Sequence, residues 1–413
     1  MTNMNSTREP TRRGDARRST RTAAAFALAL VAFAFGQQEA IAGAREQAKR
    51  LYDRLTGTPP SQDLLDDLTD MVTTDGLVDT ALYIINPELP HSRTFYSVTL
   101  KNFATPWTNR DQTVFAALND YTATVIGFVR DERDFRTILS EDVLYVGSGI
   151  TPAYSATSNA HYETMEANNA DLRTVLQPTA QSTLLGIPTE ATAGVITSRA
   201  AAEAFFVAGT NRAMFRFTML NHLCRDLEQL QDTTLPPDQI RQDVTRSPGG
   251  DSRVFLNNCV GCHNGMDPMA RAFAYYNFDE EQGRLVYTPG QVQPKYLINS
   301  DNFKPGFVTP DDKWENRYRL GGPNSLLGWD PSRPGKGEGA KSLGDELGHS
   351  KAFAQCQVEK VFRAMCFRSP SDQDDHDRVA VITESFASTG NLMQVFAETA
   401  AYCAEDLSGD SEP

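Results

Sequence analysis

The sequence predicts a mainly α-helical protein, and three observations support that class. In several stretches apolar residues recur every three or four positions, as they do on one face of a helix. Stretches typical of β-strands, such as DVLYVG and TVLQP, are few and short. A long segment, residues 285–345, is rich in glycine and proline, which interrupt regular structure. At 413 residues the chain is long enough for two domains.

The first 42 residues have the three parts of a secretory signal. Six arginines precede the apolar run TAAAFALALVAFAFG, and Ala40–Ala42 then reads A-I-A, a small-x-small cleavage site. The alternative is a membrane anchor, but the run is shorter than the roughly 20 residues that span a bilayer. We therefore expect residues 1–42 to be a signal peptide and the protein to be periplasmic or secreted.

The charge of the remaining chain restricts the kinds of partner. Without residues 1–42 it has 33 basic and 50 acidic residues, a formal net charge of −17. A negative field repels nucleic acid and anionic lipid and favours basic partners, so no nucleic-acid partner is expected. No later apolar run is long enough for a membrane span.

Residues 43–245 are predicted to form an N-terminal helical domain, to which the sequence assigns no role. PSQDLLDDLTDMV predicts a helix capped by Ser61, whose hydroxyl can bind a free backbone N–H. NRDQTVFAALNDYTATVIGFV predicts a second helix, and its apolar face contains Phe115, Leu118, Val125 and Phe128. NRAMFRFTMLNHLCRDLEQL predicts a third helix that begins at about Asn211.

Residues 246–413 are predicted to form a second domain, after the polar, turn-rich link DTTLPPDQIRQDVTRSPGGDSR. A helix is expected to start at Asp251 or Ser252 and to run into Cys259. The irregular segment that follows either covers a cofactor or is disordered, because structureless loops of that length are uncommon. Helical spacing returns in SKAFAQCQVEKVFRAM, DHDRVAVITESFA and NLMQVFAETAAY.

The strongest chemical signal is the C-x-x-C-H motif formed by Cys259, Cys262 and His263. This spacing suits covalent haem, because the two thiols bond the two vinyl groups and the adjacent imidazole binds the iron. Such attachment takes place outside the cytoplasm, which agrees with the predicted signal. We therefore predict one covalent haem c, with His263 as the protein's metal ligand and the second domain cytochrome c-like.

Three other interpretations of the motif are weaker. A zinc site needs four ligands, and the other cysteines are single and widely separated. A thioredoxin-like redox pair needs a βαβ setting, whereas the flanks here are predicted helices. A structural disulfide between Cys259 and Cys262 leaves His263 without a role.

The other four cysteines form an even set, which in an oxidising compartment predicts two disulfides. They are Cys224, Cys356, Cys366 and Cys403. Three pairings are possible. Cys356 and Cys366 are ten residues apart on one predicted helix, about 15 Å, which is too far for a direct bond. We expect Cys403 to bond with either Cys356 or Cys366.

The second axial ligand of the haem is left open by the sequence. In small c-type cytochromes this ligand usually comes from far downstream, which makes His349, Met365 and Met393 candidates. His161 and His222 are further candidates, and an iron with His263 as its sole protein ligand is the remaining case. Met266 and Met269 leave the motif on the side of His263 and do not easily reach the opposite face.

Several stretches together resemble the exported, haem-c-carrying proteins of planctomycete type. Their cytochrome module reads C-x-x-C-H-x-x-M-D-P followed by N-F-D, and CVGCHNGMDP with NFD at Asn277–Asp279 is similar to it. SKAFAQCQVEK, with Arg368 shortly after, looks like the segment typical of their last domain. RLTGTPPS and GVITSRAAAEAF with FTMLNHLC are similar to their earlier segments. The resemblance implies that Cys259, Cys262 and His263 carry haem and that Cys356 is a structural cysteine.

These observations predict an exported mono-haem c-type cytochrome that transfers single electrons to or from a redox partner protein, and the negative charge of the chain favours a basic partner. No catalytic residue is predicted. Two alternatives remain, a five-coordinate haem enzyme of peroxidase type and an envelope binding module whose haem is structural.

Overall fold

The computed structural model describes residues 43–207 and 209–405, and these are mainly helical, as the sequence predicts. The predicted signal peptide, residues 1–42, lies outside the described residues. None of the helices in the described ranges combines the length and the apolar content needed to cross a bilayer.

Helices α1 to α10 precede the C-x-x-C-H motif. They are α1 Ala44–Thr56, α2 Gln62–Thr74, α3 Leu77–Ile85, α4 Leu100–Ala104, α5 Asp120–Arg130, α6 Ala160–Ala167, α7 Leu172–Val175, α8 Gln181–Leu185, α9 Arg199–Phe205 and α10 Arg212–Leu223. The predicted cap of α2 is confirmed, because the Ser61 side chain accepts a hydrogen bond from the N–H of Leu64.

Helices α11 to α17 contain or follow the motif. They are α11 Ser252–Val254, α12 Val260–Ala270, α13 Pro323–Leu327, α14 Gly339–Gly348, α15 Lys351–Cys366, α16 Gln373–Thr389 and α17 Leu392–Glu405. The last three correspond to the three helical stretches that the sequence predicts after residue 345.

Within the residues that the structure describes, the β-structure consists of three two-stranded antiparallel pairs. They are β1 Leu144–Gly147 with β2 Leu176–Thr179, β3 Tyr276–Asp279 with β4 Arg284–Tyr287, and β5 Lys313–Glu315 with β6 Lys336–Glu338. The first pair matches the two predicted strands. β5 and β6 lie inside the Gly/Pro-rich segment, so that segment has ordered structure of its own.

The predicted helix over NRDQTVFAALNDYTATVIGFV is only half correct. Helix α5 begins at Asp120, because the side chain of Asn119 caps it by accepting a hydrogen bond from the N–H of Thr122. The residues before Asn119 form turns, in which the Asn109 side chain binds local backbone groups. Phe115, predicted on the buried face, is therefore 92% exposed.

Helices from the two ends of the described chain pack together. α17 lies against α1, α3 and α15. The Arg54 guanidinium on α1 donates a 2.7 Å hydrogen bond to the carbonyl of Met365 on α15. α15 in turn packs on α10, which is the last α-helix in sequence before the helical segment that contains the motif. The domain boundary at residue 245 stays a prediction.

Two disulfides connect these helices. Cys224, at the end of α10, bonds Cys356 on α15, and Cys366 at the end of α15 bonds Cys403 on α17. The Cα atoms in each pair are 5.3 Å apart. Two disulfides are thus confirmed, as is the expected partner for Cys403, and α15 is bonded at two points.

We expect removal of Cys224–Cys356 by double Ser replacement to cost more stability than removal of Cys366–Cys403. The bonds join residues 132 and 37 positions apart, and a longer closed loop restricts the unfolded chain more. Chain entropy predicts losses of about 5 and about 4 kcal/mol respectively. Urea unfolding monitored by circular dichroism measures both, and a larger loss for the shorter loop would contradict the expectation.

A buried carboxylate, Asp375, joins the end of α15 to α16 and α17. Its oxygens accept hydrogen bonds from the Arg368 guanidinium, the Ser371 N–H at 2.9 Å and the Tyr402 hydroxyl at 2.9 Å. Burial by itself raises the pKa of Asp375, but these donors outweigh it and lower the pKa to about 2. The charged carboxylate therefore stabilises the folded state.

This lowered pKa predicts a loss of stability in acid. Above about pH 4 the Asp375 carboxylate is charged in both states; between about pH 4 and pH 2 mainly the unfolded chain takes up the proton. The unfolding free energy is expected to fall by about 2 kcal/mol across that window. Asp375→Asn should remove this part of the pH dependence, whereas Asp374→Asn at the exposed neighbour should retain it. Identical acid profiles for the two variants would count against the expectation.

Candidate functional site

The C-x-x-C-H motif lies on a helical segment that runs from Ser252 to Ala270. The Asp251 side chain caps it by accepting a hydrogen bond from the N–H of Arg253, which confirms the predicted start. After α11 the segment continues as a π-helical turn, Phe255–Cys259, and then as α12. A π-turn inside a helix is rare and is frequently found at functional sites. Cys259 ends this turn, and Cys262 and His263 lie in the first turn of α12.

Cys259 and Cys262 are the two cysteines that are not in disulfides. Both are half-buried. The sulfur of Cys262 lies 3.5 Å from the carbonyl oxygen of Leu227. Burial raises the pKa of the Cys262 thiol, and the nearby carboxylates of Glu228 and Asp226 raise it further. The thiol form is therefore favoured at neutral pH.

The imidazole of His263 is held at one of its two nitrogens. Nδ1 lies 3.1 Å and 3.2 Å from the two carboxylate oxygens of Asp267, one helical turn later. Because a carboxylate accepts only, Nδ1 carries the proton and donates it. Nε2 makes no hydrogen bond to any residue in the described ranges. In this arrangement Nε2 has the free lone pair needed to bind a metal.

Asp267 is fully buried, with its charge compensated by Arg212 on α10. The guanidinium of Arg212 donates to both carboxylate oxygens at 2.8 Å and 3.0 Å. Burial by itself raises the pKa of Asp267, but Arg212 and His263 outweigh it, so the pKa lies well below its usual range. Asp267 is therefore a permanent anion in contact with the candidate metal ligand.

The other side of Arg212 is bound by Asp243, at 2.7 Å and 3.0 Å. Arg241 adds a second cation: its backbone N–H donates to Asp267 at 3.2 Å, and its side chain lies 3.5 Å from Asp243. We call Asp267, Arg212, Asp243 and Arg241 the buried charge cluster. It contains two anions and two cations, and its charges balance.

Neighbouring segments fix the position of α12. The Asn264 side chain donates to the carbonyls of Asp232 at 2.6 Å and Leu235 at 3.1 Å. Gly265 lies against the ring of Tyr318, where a Cβ atom would be 2.1 Å from a ring carbon. Strand β5 and the turn that contains Tyr318 both pack on α12. Part of the Gly/Pro-rich segment therefore covers the motif helix.

The donor set fits a covalently attached haem. Two unbonded thiols three residues apart and an adjacent imidazole with free Nε2 are the groups that haem c uses. Porphyrin supplies four of the iron's ligands, so the protein has to supply one or two. Within the described part of the chain, no three His, Cys, Asp or Glu side chains form a group that could hold a metal ion by themselves.

The three histidines proposed as second axial ligands make contacts of their own. His161 accepts a 2.9 Å hydrogen bond from a backbone N–H in β1. Nε2 of the buried His222 lies 2.6 Å from the Tyr121 hydroxyl. Nδ1 of His349 lies 2.9 Å from the carbonyl of Asp345. Each of these histidines thus has a structural role where it lies.

The methionines proposed for the same position are part of the core. Met365 on α15 and Met393 on α17 are 0% and 5% exposed, in two helices that pack on each other. Met266 and Met269, on the motif helix itself, are also buried.

The sequence gives no role to Asp267, Arg212 or Asp243. A signal for Asp267 is present, since a residue four positions after His263 lies on the same helix face. Arg212 and Asp243 lie 55 and 24 positions from Asp267 in sequence, and their approach results from the fold alone.

No protein-family model matches the chain, and the searches of curated proteins and of solved structures also find no match.

Proposed function

We propose that the protein is an exported mono-haem c-type cytochrome that carries single electrons to or from a partner in the cell envelope. The observation that carries the proposal is the chemical state of the motif. Cys259 and Cys262 are unbonded thiols while the other four cysteines form disulfides. Beside them, His263 has Nδ1 bound by Asp267 and Nε2 free.

Each motif residue has a defined task in this function. Cys259 and Cys262 would anchor the ring, because their thiols can form thioether bonds to its two vinyl groups. His263 would hold the iron through Nε2, and the hydrogen bond to Asp267 would keep the imidazole from rotating. When bound, the haem supplies an iron centre that accepts and releases one electron.

The charge of the protein favours a basic redox partner. The sequence has a formal net charge of −14, and the carboxylates of Asp226 and Glu228 are close enough to Cys262 to raise its pKa. Opposite charges on two partners steer their encounter and raise the association rate, an effect that salt weakens. Electron exchange with a basic partner is therefore expected to slow as ionic strength rises.

Covalent haem is expected on protein produced together with haem-attachment machinery. Intact mass should exceed the polypeptide mass by one haem, and a pyridine haemochrome spectrum should be of the c type. Replacing both Cys259 and Cys262 with Ser should abolish the covalent haem. The control, Cys366→Ser with Cys403→Ser, removes as many sulfurs away from the motif and should retain it. A native protein with the mass of its bare polypeptide and no Soret band would refute the proposal.

A five-coordinate haem enzyme of peroxidase type is a second candidate. The contacts of His161 and His222 favour it, because hydrogen bonds occupy both ring nitrogens of His161 and Nε2 of the buried His222. An iron face without a second ligand stays open to small molecules. The resting ferric spectrum distinguishes the two. A low-spin spectrum supports the electron carrier, and a high-spin spectrum with turnover of hydrogen peroxide supports the enzyme.

A further inference from the structure

Asp267 connects His263 to the buried charge cluster, and its position gives it a role beyond packing. We infer that Asp267 is a positioning residue that holds His263 with its proton on Nδ1 and lowers the reduction potential of an iron bound at Nε2. This inference rests on the proposed function, because it concerns a property of the bound haem.

The geometry of the His263–Asp267 contact fixes the tautomer. Nδ1 is within hydrogen-bonding distance of both carboxylate oxygens, at 3.1 Å and 3.2 Å. Both residues lie on α12, four positions apart, so the helix backbone maintains the distance. Since the acceptor is an anion that cannot donate, the proton stays on Nδ1 and the lone pair stays on Nε2.

Electrostatics give the direction of the effect on the iron. An imidazole that donates to a carboxylate becomes a stronger electron donor, and a nearby negative charge favours the ferric over the ferrous state. The Asp267 side chain is 0% exposed, so water screens its charge only weakly. Both effects lower the reduction potential.

The simpler explanation is that Asp267 serves only to pair with Arg212. Arg212 already has another carboxylate partner, because Asp243 accepts two hydrogen bonds from the same guanidinium at 2.7 Å and 3.0 Å. Asp243 has the same charge and the same arginine partner, but within the described ranges it makes no contact with His263. The two aspartates therefore have the same charge and the same arginine partner, but only Asp267 contacts the candidate iron ligand His263.

The test compares Asp267→Asn with Asp243→Asn in the haem-loaded protein. Each change removes one negative charge from the cluster and keeps the side-chain size. At a fixed solution potential, we expect Asp267→Asn to raise the ratio of reduced to oxidised haem at least tenfold, equivalent to about 59 mV for one electron. Asp243→Asn should raise it less than threefold. Spectroelectrochemical titration measures both ratios, and equal shifts in the two variants would overturn the inference.

Two further measurements keep the inference testable if Asp267→Asn does not mature. Intact mass reports the haem content of every variant, so failure of haem attachment is distinguished from an unchanged potential. In the unaltered protein, the paramagnetically shifted Nδ1–H resonance of the axial histidine should survive transfer to D2O, because its acceptor is buried. Its disappearance before the first spectrum would contradict the proposed hydrogen bond.

Discussion

The ion pair between Asp267 and Arg212 is the interaction on which the arrangement of the motif depends. It joins the motif helix, α12, to α10 through two hydrogen bonds at 2.8 Å and 3.0 Å, with the carboxylate fully buried. Removing Arg212 would leave the buried Asp267 carboxylate without its guanidinium partner, and such a loss costs about 3–5 kcal/mol in proteins. The orientation of His263 and the contact between two helices distant in sequence are therefore coupled to one pair of side chains.

The same interaction shows how the motif is both rigid and accessible. The Asp267 side chain is fully buried, whereas Cys259, Cys262 and His263 are half-buried. The hydrogen bond from Asn264 to the Asp232 carbonyl and the contact of Gly265 with Tyr318 also hold α12 in place. A reactive group needs this combination, since it has to reach a ligand without losing its orientation.

Much of the fold follows from local sequence patterns. Helices α2, α10 and α15 to α17 are predicted from apolar spacing, because that spacing directly reports the face that packs on a core. The error at Phe115 arises from a competing local interaction: Asn119 caps α5, so the apolar residues before it cannot join the helix. The apolar spacing continues across Asn119, from Phe115 and Leu118 to Val125 and Phe128, so periodicity alone does not reveal the cap.

The candidate site is predictable to a smaller extent. Its three motif residues are adjacent in sequence, so their chemistry can be recognised without a structure. Asp267 lies within one helical turn and could be added by spacing. Arg212 and Asp243 have no local relation to the motif, and their roles arise from long-range contacts that a single sequence does not record. Helix geometry excludes a bond between Cys356 and Cys366, so Cys224 and Cys403 have the same two possible partners. The long-range fold decides between the two remaining pairings.

The Cys224–Cys356 bond also determines how the protein responds to cleavage of its backbone. The bond closes a ring that contains α11 to α14, β3 to β6, and every residue of the motif. A single protease cut at any point of that ring leaves the two fragments joined by the Cys224–Cys356 bond at the C-terminal end of α10. Nicking a surface turn of the Gly/Pro-rich segment would therefore not release the motif helix from the rest of the molecule.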